Sequence, residues 1–251
     1  MTLKILVVCK NSFEKQSSPC RIINNSNLYV TYAWKDTLSP KDIKDIDFVV
    51  SIGGDGTALS ASHYLLDKPL LAVNSNPEKS VGALTTISLE KLDKKINQIV
   101  SKDYETEKLE RIQVTINEKP LEPLALNDVF IANEKAYLIS KYKISLGKEE
   151  EIQLSSGLIF STGTGSTAWF KSASGIPFSP QSKFIKMIVR EPYQNKTDFK
   201  LLEKTIQENE EVIIQPLTPM VLAIDSIREI KITEKDKIKI KISRHPLIRI
   251  K

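Results

Sequence analysis

The chain has 251 residues, 41% of them hydrophobic, with 36 Lys and Arg against 31 Asp and Glu and a formal net charge of +5. That much apolar surface suits one large domain or two modest ones and excludes a disordered chain. The basic excess is scattered and no nucleic-acid-binding motif accompanies it, so the mild positive field suits a polyanionic small molecule and no nucleic-acid partner is expected.

The chain opens on Leu3-Lys4-Ile5-Leu6-Val7-Val8-Cys9, a short apolar run without a basic lead-in or a small-residue cleavage site. It reads as a buried strand and not as a targeting signal. No stretch reaches the roughly 18 apolar residues that a membrane-spanning helix needs, so a soluble, cytoplasmic protein with no membrane partner is expected. The cysteines, Cys9 and Cys20, form no CxxC and no Cys/His ligand spacing. Both are expected as free thiols in a reducing compartment. Trp34 and the aromatic residues around it are expected to cover the core.

Apolar runs at 48–52 and 70–73 read as further strands buried on both faces. Between them, residues 57–66 have helical composition with Thr57 as cap, and Leu89, Leu92, Ile96, Ile99 and Val100 share one helical face. Strands alternating with helices predict a parallel sheet. From residue 104 the texture changes to apolar–polar alternation, as in Arg111-Ile112-Gln113-Val114-Thr115-Ile116 and Lys237-Ile238-Lys239-Ile240-Lys241-Ile242, the period of antiparallel strands with one wet face. Residues 181–204 show little period and carry Pro192, so they read as a long connection with one helix. The predicted architecture is α/β plus all-β. An α/β domain with a parallel sheet spans 1–103, and a β-rich, sandwich-like domain spans 104–251, with a C-terminal tail able to pack back on the first domain. His63 and His245, the two histidines, have no acidic or Cys partner at ligand spacing. Neither is expected to be catalytic, and no protein-borne metal site is expected.

Two glycine-rich segments carry the chemistry. Ser51-Ile52-Gly53-Gly54-Asp55-Gly56-Thr57 follows an apolar strand and opens a helix, so its amides lie at the carboxyl end of a parallel sheet and at a helix N-terminus. Both settings favour an anion. Three glycines in four positions let the backbone approach a ligand closely. By itself, a Gly-Gly-Asp-Gly is as often a tight turn with its Asp near the cap. The segment is not a P-loop, since GxxxxGK[ST] is absent. It resembles the Gly-Gly-Asp-Gly-Thr signature shared by NAD kinases, by diacylglycerol and sphingosine kinases and, in looser form, by phosphofructokinases. That resemblance implies phosphoryl transfer to a hydroxyl. Gly53, Gly54, Gly56 and Thr57 would work at the phosphate donor, and Asp55 would act on the acceptor hydroxyl and help to hold Mg²⁺.

The second segment, Ser155-Ser156-Gly157-Leu158-Ile159-Phe160-Ser161-Thr162-Gly163-Thr164-Gly165-Ser166-Thr167-Ala168-Trp169, reads as strand, loop and helix. Its Gly163-x-Gly165-x-x-Ala168 matches a Rossmann pattern, but the flanking chain looks antiparallel and no βαβ unit follows. As a whole it resembles the Thr-x-Thr-Gly-Ser-Thr-Ala-aromatic loop of NAD kinases. Upstream, Ala125-Leu126-Asn127-Asp128-Val129 resembles that family's Leu-Asn-Glu/Asp-Val motif. The resemblance spans roughly 50–225 and implies an enzyme that uses ATP with Mg²⁺ to phosphorylate NAD. It gives Asn127 and Asp128 the adenosine portion of NAD. It assigns Thr162, Thr164, Ser166, Thr167, Ala168, Trp169 and Ser172 to the dinucleotide, with Asn74, Ser156 and Asp225 completing the binding set. It also implies a homodimer or homotetramer, since parts of the family's NAD site come from a partner subunit.

Departures from the commonest bacterial pattern point to a subgroup. Position 156 is Ser in place of Asp, 163 is Gly in place of Pro, and 169 is Trp in place of Tyr. Val73-Asn74-Ser75-Asn76-Pro77-Glu78-Lys79-Ser80 replaces the usual Asn-Thr-Gly-x-Leu-Gly-Phe loop. With Val189-Arg190-Glu191-Pro192, these features are similar to the mitochondrial type of NAD kinase. Two other readings remain open at this point: a lipid kinase, which shares the Gly-Gly-Asp-Gly-Thr segment, and a dinucleotide-binding regulator without turnover.

Overall fold

A computed structural model describes residues 2–10, 23, 25–78, 82–193 and 199–251. The chain divides into two compact units, 1–108 together with 247–251, and 109–246. The division at 108 falls five residues beyond the change of texture read from the sequence.

The first unit is built on a seven-stranded sheet. Its strands are β1 (Leu3–Cys9), β2 (Leu28–Trp34), β3 (Phe48–Gly53), β4 (Leu70–Asn74), β5 (Ile87–Ser88) and β6 (Thr106–Leu109), joined by the last strand of the chain, Leu247–Ile250. The path runs β2, β1, β3, β4, Leu247–Ile250, β6, with β5 on β4. β1, β3 and β4 pair in parallel. β3 and β4 are buried along their whole length, which accounts for their unbroken apolar runs. Helix α1 (Pro40–Ile43) is short, and α2 (Asp55–Ser62) follows β3 after a single residue. The α2 cap is Gly54, so Thr57 lies inside the helix and does not start it. α3 (Leu92–Val100) buries Leu92, Ile96 and Ile99, spaced four and three apart on one stripe, in the core with Ile5, Val7, Ile52 and Val73.

Two expectations are corrected in this unit. Trp34 does not cover the core. It is 45% exposed, and Tyr29 and Tyr32 are also exposed, because β2 is an edge strand paired only with β1. Cys9 is not a free thiol but is disulfide-bonded. Spacing along a sequence does not report the Cα separation that permits a bridge. Cys20 lies outside the described residues.

The second unit consists of two six-stranded antiparallel sheets. The first comprises β7 (Ile112–Ile116), β8 (Lys119–Pro120), β10 (Ser140–Leu146), β11 (Glu149–Ser155), β15 (Val212–Pro216) and β18 (Ile238–Ile242), in the order β11-β10-β15-β18-β7-β8. The second comprises β9 (Asp128–Asn133), β12 (Gly157–Ser161), β13 (Ile185–Arg190), β14 (Glu203–Ile206), β16 (Met220–Ile224) and β17 (Arg228–Ile232), in the order β14-β13-β12-β9-β16-β17. Alternate residues of both sheets, among them Ile112, Val114, Ile238 and Ile240 from one and Val129, Ile131, Phe160 and Leu222 from the other, meet in a single core. This is a sandwich, as the alternation predicts.

The stretch 181–204 is a correction. It contributes β13, an interior strand of its sheet, and no helix among the described residues. Ile188, on the strand's other face, interrupts the polar alternation and hides the period; the buried positions are Ile185, Met187 and Val189. Among the described residues no helix is long and apolar enough to cross a membrane.

Candidate active site

In the first unit the glycine turn joins β3 to α2. Its glycines serve different ends. A Cβ on Gly53 would lie 2.2 Å from Thr57 Oγ1, so the turn closes only around a residue without a side chain. Gly56 is exposed, and a Cβ there would meet nothing within 4 Å, so no packing among the described residues demands a glycine. The first turn of α2 is therefore open to a ligand, at the helix end that favours anions. Asp55 lies in that first turn. Its Oδ1 accepts the Leu84 amide at 2.9 Å and its Oδ2 the Ala83 amide at 3.1 Å, which fixes the carboxylate in one orientation. Leu84 is held from behind by Arg249, whose Nη1 donates to the Leu84 carbonyl at 3.1 Å. The guanidinium is anchored in turn on Glu107, at 2.9 Å and 2.7 Å. Arg249 and Glu107 were not singled out from the sequence. Asn74, at the end of β4, is buried, and its Oδ1 accepts the Asn76 amide at 3.0 Å.

In the second unit Asp225 organises the Asn-Asp motif. Its carboxylate accepts the amides of Leu126 at 2.8 Å, Asn127 at 2.7 Å and Asp128 at 2.9 Å, and its own amide returns to the Asp128 carbonyl at 2.9 Å. Asp225 sits at φ +49° and Ser226 at φ +54°, so the turn after β16 adopts the left-handed region to aim this carboxylate. The glycine loop closes on the same segment. Thr162 donates to the Leu126 carbonyl at 2.5 Å, its amide donates to the Asn127 carbonyl at 3.0 Å, and its hydroxyl accepts the Gly165 amide at 3.1 Å. A Cβ on Gly165 would come within 2.2 Å of the Asn127 oxygen, and one on Gly163 within 1.9 Å of the Ser179 oxygen. Ser166 is fully buried, donates to the carbonyls of Gly163 and Phe178, and accepts the Phe178 amide. The hydroxyls of Thr162 and Ser166 thus serve the shape of the loop.

The same loop turns other groups outward. Thr167, Ala168 and Ser172 are exposed, and Thr164 Oγ1 is buried without a hydrogen-bond partner. Trp169 stacks on Phe130 with ring centroids 4.4 Å apart. Ser156 is half-buried, and its amide donates to the Arg190 carbonyl at 2.9 Å.

Asp128 is 5% exposed, and its Oδ1 has no hydrogen-bond partner. Burial, reinforced by the charge of Asp225, raises its pKa from 3.8 to about 7. The unfolded chain would lose this proton near pH 4, whereas the fold holds it to about pH 7. Between those values the folded state binds more protons, so this group makes stability fall as pH rises. Asp128→Asn is expected to flatten that fall: its melting temperature should exceed that of the unsubstituted protein at pH 8, with the gap closing by pH 4. Parallel melting curves for the two proteins across this range would rule out the assignment.

The family model described as ATP-NAD kinase N-terminal domain matches residues 6–104. NAD kinase 2 of Synechocystis sp. is 30% identical over 213 residues, covering 81% of this chain and 67% of that protein. The chain belongs to the NAD kinase family. A probable NADH kinase of rice, Oryza sativa subsp. japonica, is 28% identical over 195 residues, but the match spans 60% of its length. In fold, the chain is similar to an NAD kinase from Archaeoglobus fulgidus solved in complex with ATP, with a TM-score of 0.76 at 20% identity over 99% of this chain and 94% of that one. The parallel sheet with its glycine turn and the antiparallel sandwich are thus the architecture of an NAD kinase.

Proposed function

We propose that this protein is an ATP-dependent NAD kinase, transferring the γ-phosphoryl group of ATP to the 2′-hydroxyl of the adenosine ribose of NAD and giving NADP. The observation that carries this reading is the Asp55 carboxylate, clamped by two amides in the open first turn of α2. A fixed carboxylate there can orient the acceptor hydroxyl and take its proton, while the amides of Gly53, Gly54 and Gly56 and the hydroxyl of Thr57 lie along the turn that would receive the phosphates. Each Asp55 oxygen keeps acceptor capacity beyond its amide. The residue therefore fits a Mg²⁺ ion brought in on the nucleotide, which would neutralise phosphate charge.

Asn127 and Asp128 would bind the adenosine portion of NAD, with the Asp128 Oδ1 taking a donor from the ligand. Thr164, Thr167, Ala168, Trp169, Ser172 and Ser156 would line the remainder, and Asn74 would border the first turn. Asp225, Thr162 and Ser166 would act through the backbone they hold. The departures at 156, 163 and 169 support placement in the mitochondrial-type subgroup. A cytoplasmic homodimer or homotetramer is the working assembly.

A coupled assay for NADP with ATP, Mg²⁺ and NAD tests the reading directly. NADP formation abolished by EDTA and restored by Mg²⁺ is expected, whereas dinucleotide binding without NADP formation would leave a non-catalytic regulator. Asn127→Ala should raise the KM for NAD roughly tenfold with little change in kcat, because its contacts would be alike in ground and transition state. An unchanged KM with a collapsed kcat would assign Asn127 to the chemical step instead.

A further inference from the structure

In the sheet of the first unit, β6 and the strand Leu247–Ile250 are neighbours and carry an ion pair largely withdrawn from water, with the side chains of Glu107 and Arg249 each 14% exposed. Arg249 Nε and Nη2 both donate to the same Glu107 oxygen, at 2.9 Å and 2.7 Å, which leaves Nη1 for the Leu84 carbonyl at 3.1 Å. A planar guanidinium, with its donors in a rigid fork, can serve both partners at once. Neighbouring strands are already joined through their backbones, and a withdrawn ion pair adds little net stability over apolar side chains of the same volume. The bond to Leu84 therefore points to another use.

Leu84 lies in a segment fixed at both ends. Gly82, at φ +69°, turns the chain where a Cβ would come within 2.8 Å of Asn74 Nδ2. Further on, the Thr86 amide donates to the Ala72 carbonyl of β4 at 2.8 Å, and β5 then pairs with β4. Between these anchors the amides of Ala83 and Leu84 hold the two oxygens of Asp55. The Leu84 side chain is buried and its carbonyl is held by Arg249, so its backbone has little freedom to rotate and its N–H keeps one direction. Asp55, by contrast, is half-buried in an open first turn, where its own side-chain torsions would otherwise allow the carboxylate several orientations.

We propose that Arg249 is a positioning residue for Asp55: through the Leu84 peptide it holds the carboxylate in the one orientation in which, on the kinase reading above, the acceptor hydroxyl would meet it. Glu107 neutralises the guanidinium, so Arg249 contributes geometry and no net charge. Residues 247–251 thereby act on the glycine turn, although they touch neither Asp55 nor the first turn of α2 with any hydrogen bond among the described residues.

Arg249→Met combined with Glu107→Gln removes the tether without leaving a withdrawn charge unpaired. In this double variant kcat is expected to fall on the order of ten- to a hundredfold, the effect of a reacting group displaced by about an ångström, while the KM for NAD moves no more than a few-fold. Amide hydrogen exchange should rise on the order of tenfold at Ala83 and Leu84 and stay unchanged along β4. Adding Asp55→Asn separates positioning from a general defect. With the carboxylate gone, losing the tether should lower kcat by less than about twofold further, whereas a general defect would lower it by the same factor in both backgrounds. An unchanged kcat in the double variant, equal losses in the two backgrounds, or protection retained at Ala83 and Leu84 overturns the proposal. If the unsubstituted protein forms no NADP, the kinase reading fails by itself and exchange decides the tether: protection lost only at Ala83 and Leu84 sustains it, and protection retained there overturns it.

Discussion

Asp225→Ala is expected to be strongly destabilising, lowering the stability of the second unit by about 3 kcal/mol or more. The carboxylate accepts three backbone amides between 2.7 and 2.9 Å. Leu126 and Asp128 are buried, so their amides would be left without an acceptor or with one poorly placed water. For a chain of this size the loss corresponds to a drop in melting temperature of roughly 6–12 °C. Asp225→Asn should be nearly as damaging although it changes almost no volume, since the amide nitrogen that replaces one oxygen would point a donor at donors. Thermal and denaturant unfolding read both variants. A loss below about 1 kcal/mol in the Ala form would show that the clamp contributes little beyond geometry.

Asp55→Asn is expected to lower kcat by roughly 10²- to 10⁴-fold, the usual contribution of a positioned general base. The amide carbonyl can still accept from Leu84 or Ala83, so the loop after Gly82 should keep its place, and the KM for NAD should move by no more than a few-fold. The melting curve should stay near that of the unsubstituted protein, because Asp55 is only half-buried. Turnover of the purified Asn variant at the unsubstituted rate would remove Asp55 from the chemistry and leave it as the tether of the Ala83–Leu84 amides.

Features that local physical chemistry dictates were legible in the amino-acid order. Continuous apolar runs become the buried parallel strands β3 and β4, and the Lys/Ile alternation near the C-terminus becomes β18, because side-chain period follows directly from strand geometry. The two glycine segments announce themselves because a sharp turn against a strand end has few compositional solutions. β13 escaped this reading because Ile188, on the half-buried outer face, breaks the polar alternation on which period-2 recognition depends. Likewise, the edge position of β2 follows only from its neighbours in the sheet, so composition alone places Trp34 in the core, whereas it is exposed.

Tertiary structure alone decided which polar groups meet. Asp225 lies 97 to 99 residues from the amides it clamps, Arg249 lies 142 residues from Glu107 and 165 from Leu84, and no periodicity spans such distances. The glycines show the same division. Their abundance is visible in the sequence, but only the fold reveals that Gly53, Gly163 and Gly165 are pressed against Thr57, Ser179 and Asn127, while Gly56 faces open space. The residue order thus determined the elements and the chemical class of the two loops. Long-range packing determined which of their side chains hold the loops in shape and which are left to meet a ligand, because a hydrogen bond's partner is set by where the backbone returns and not by the residues beside it.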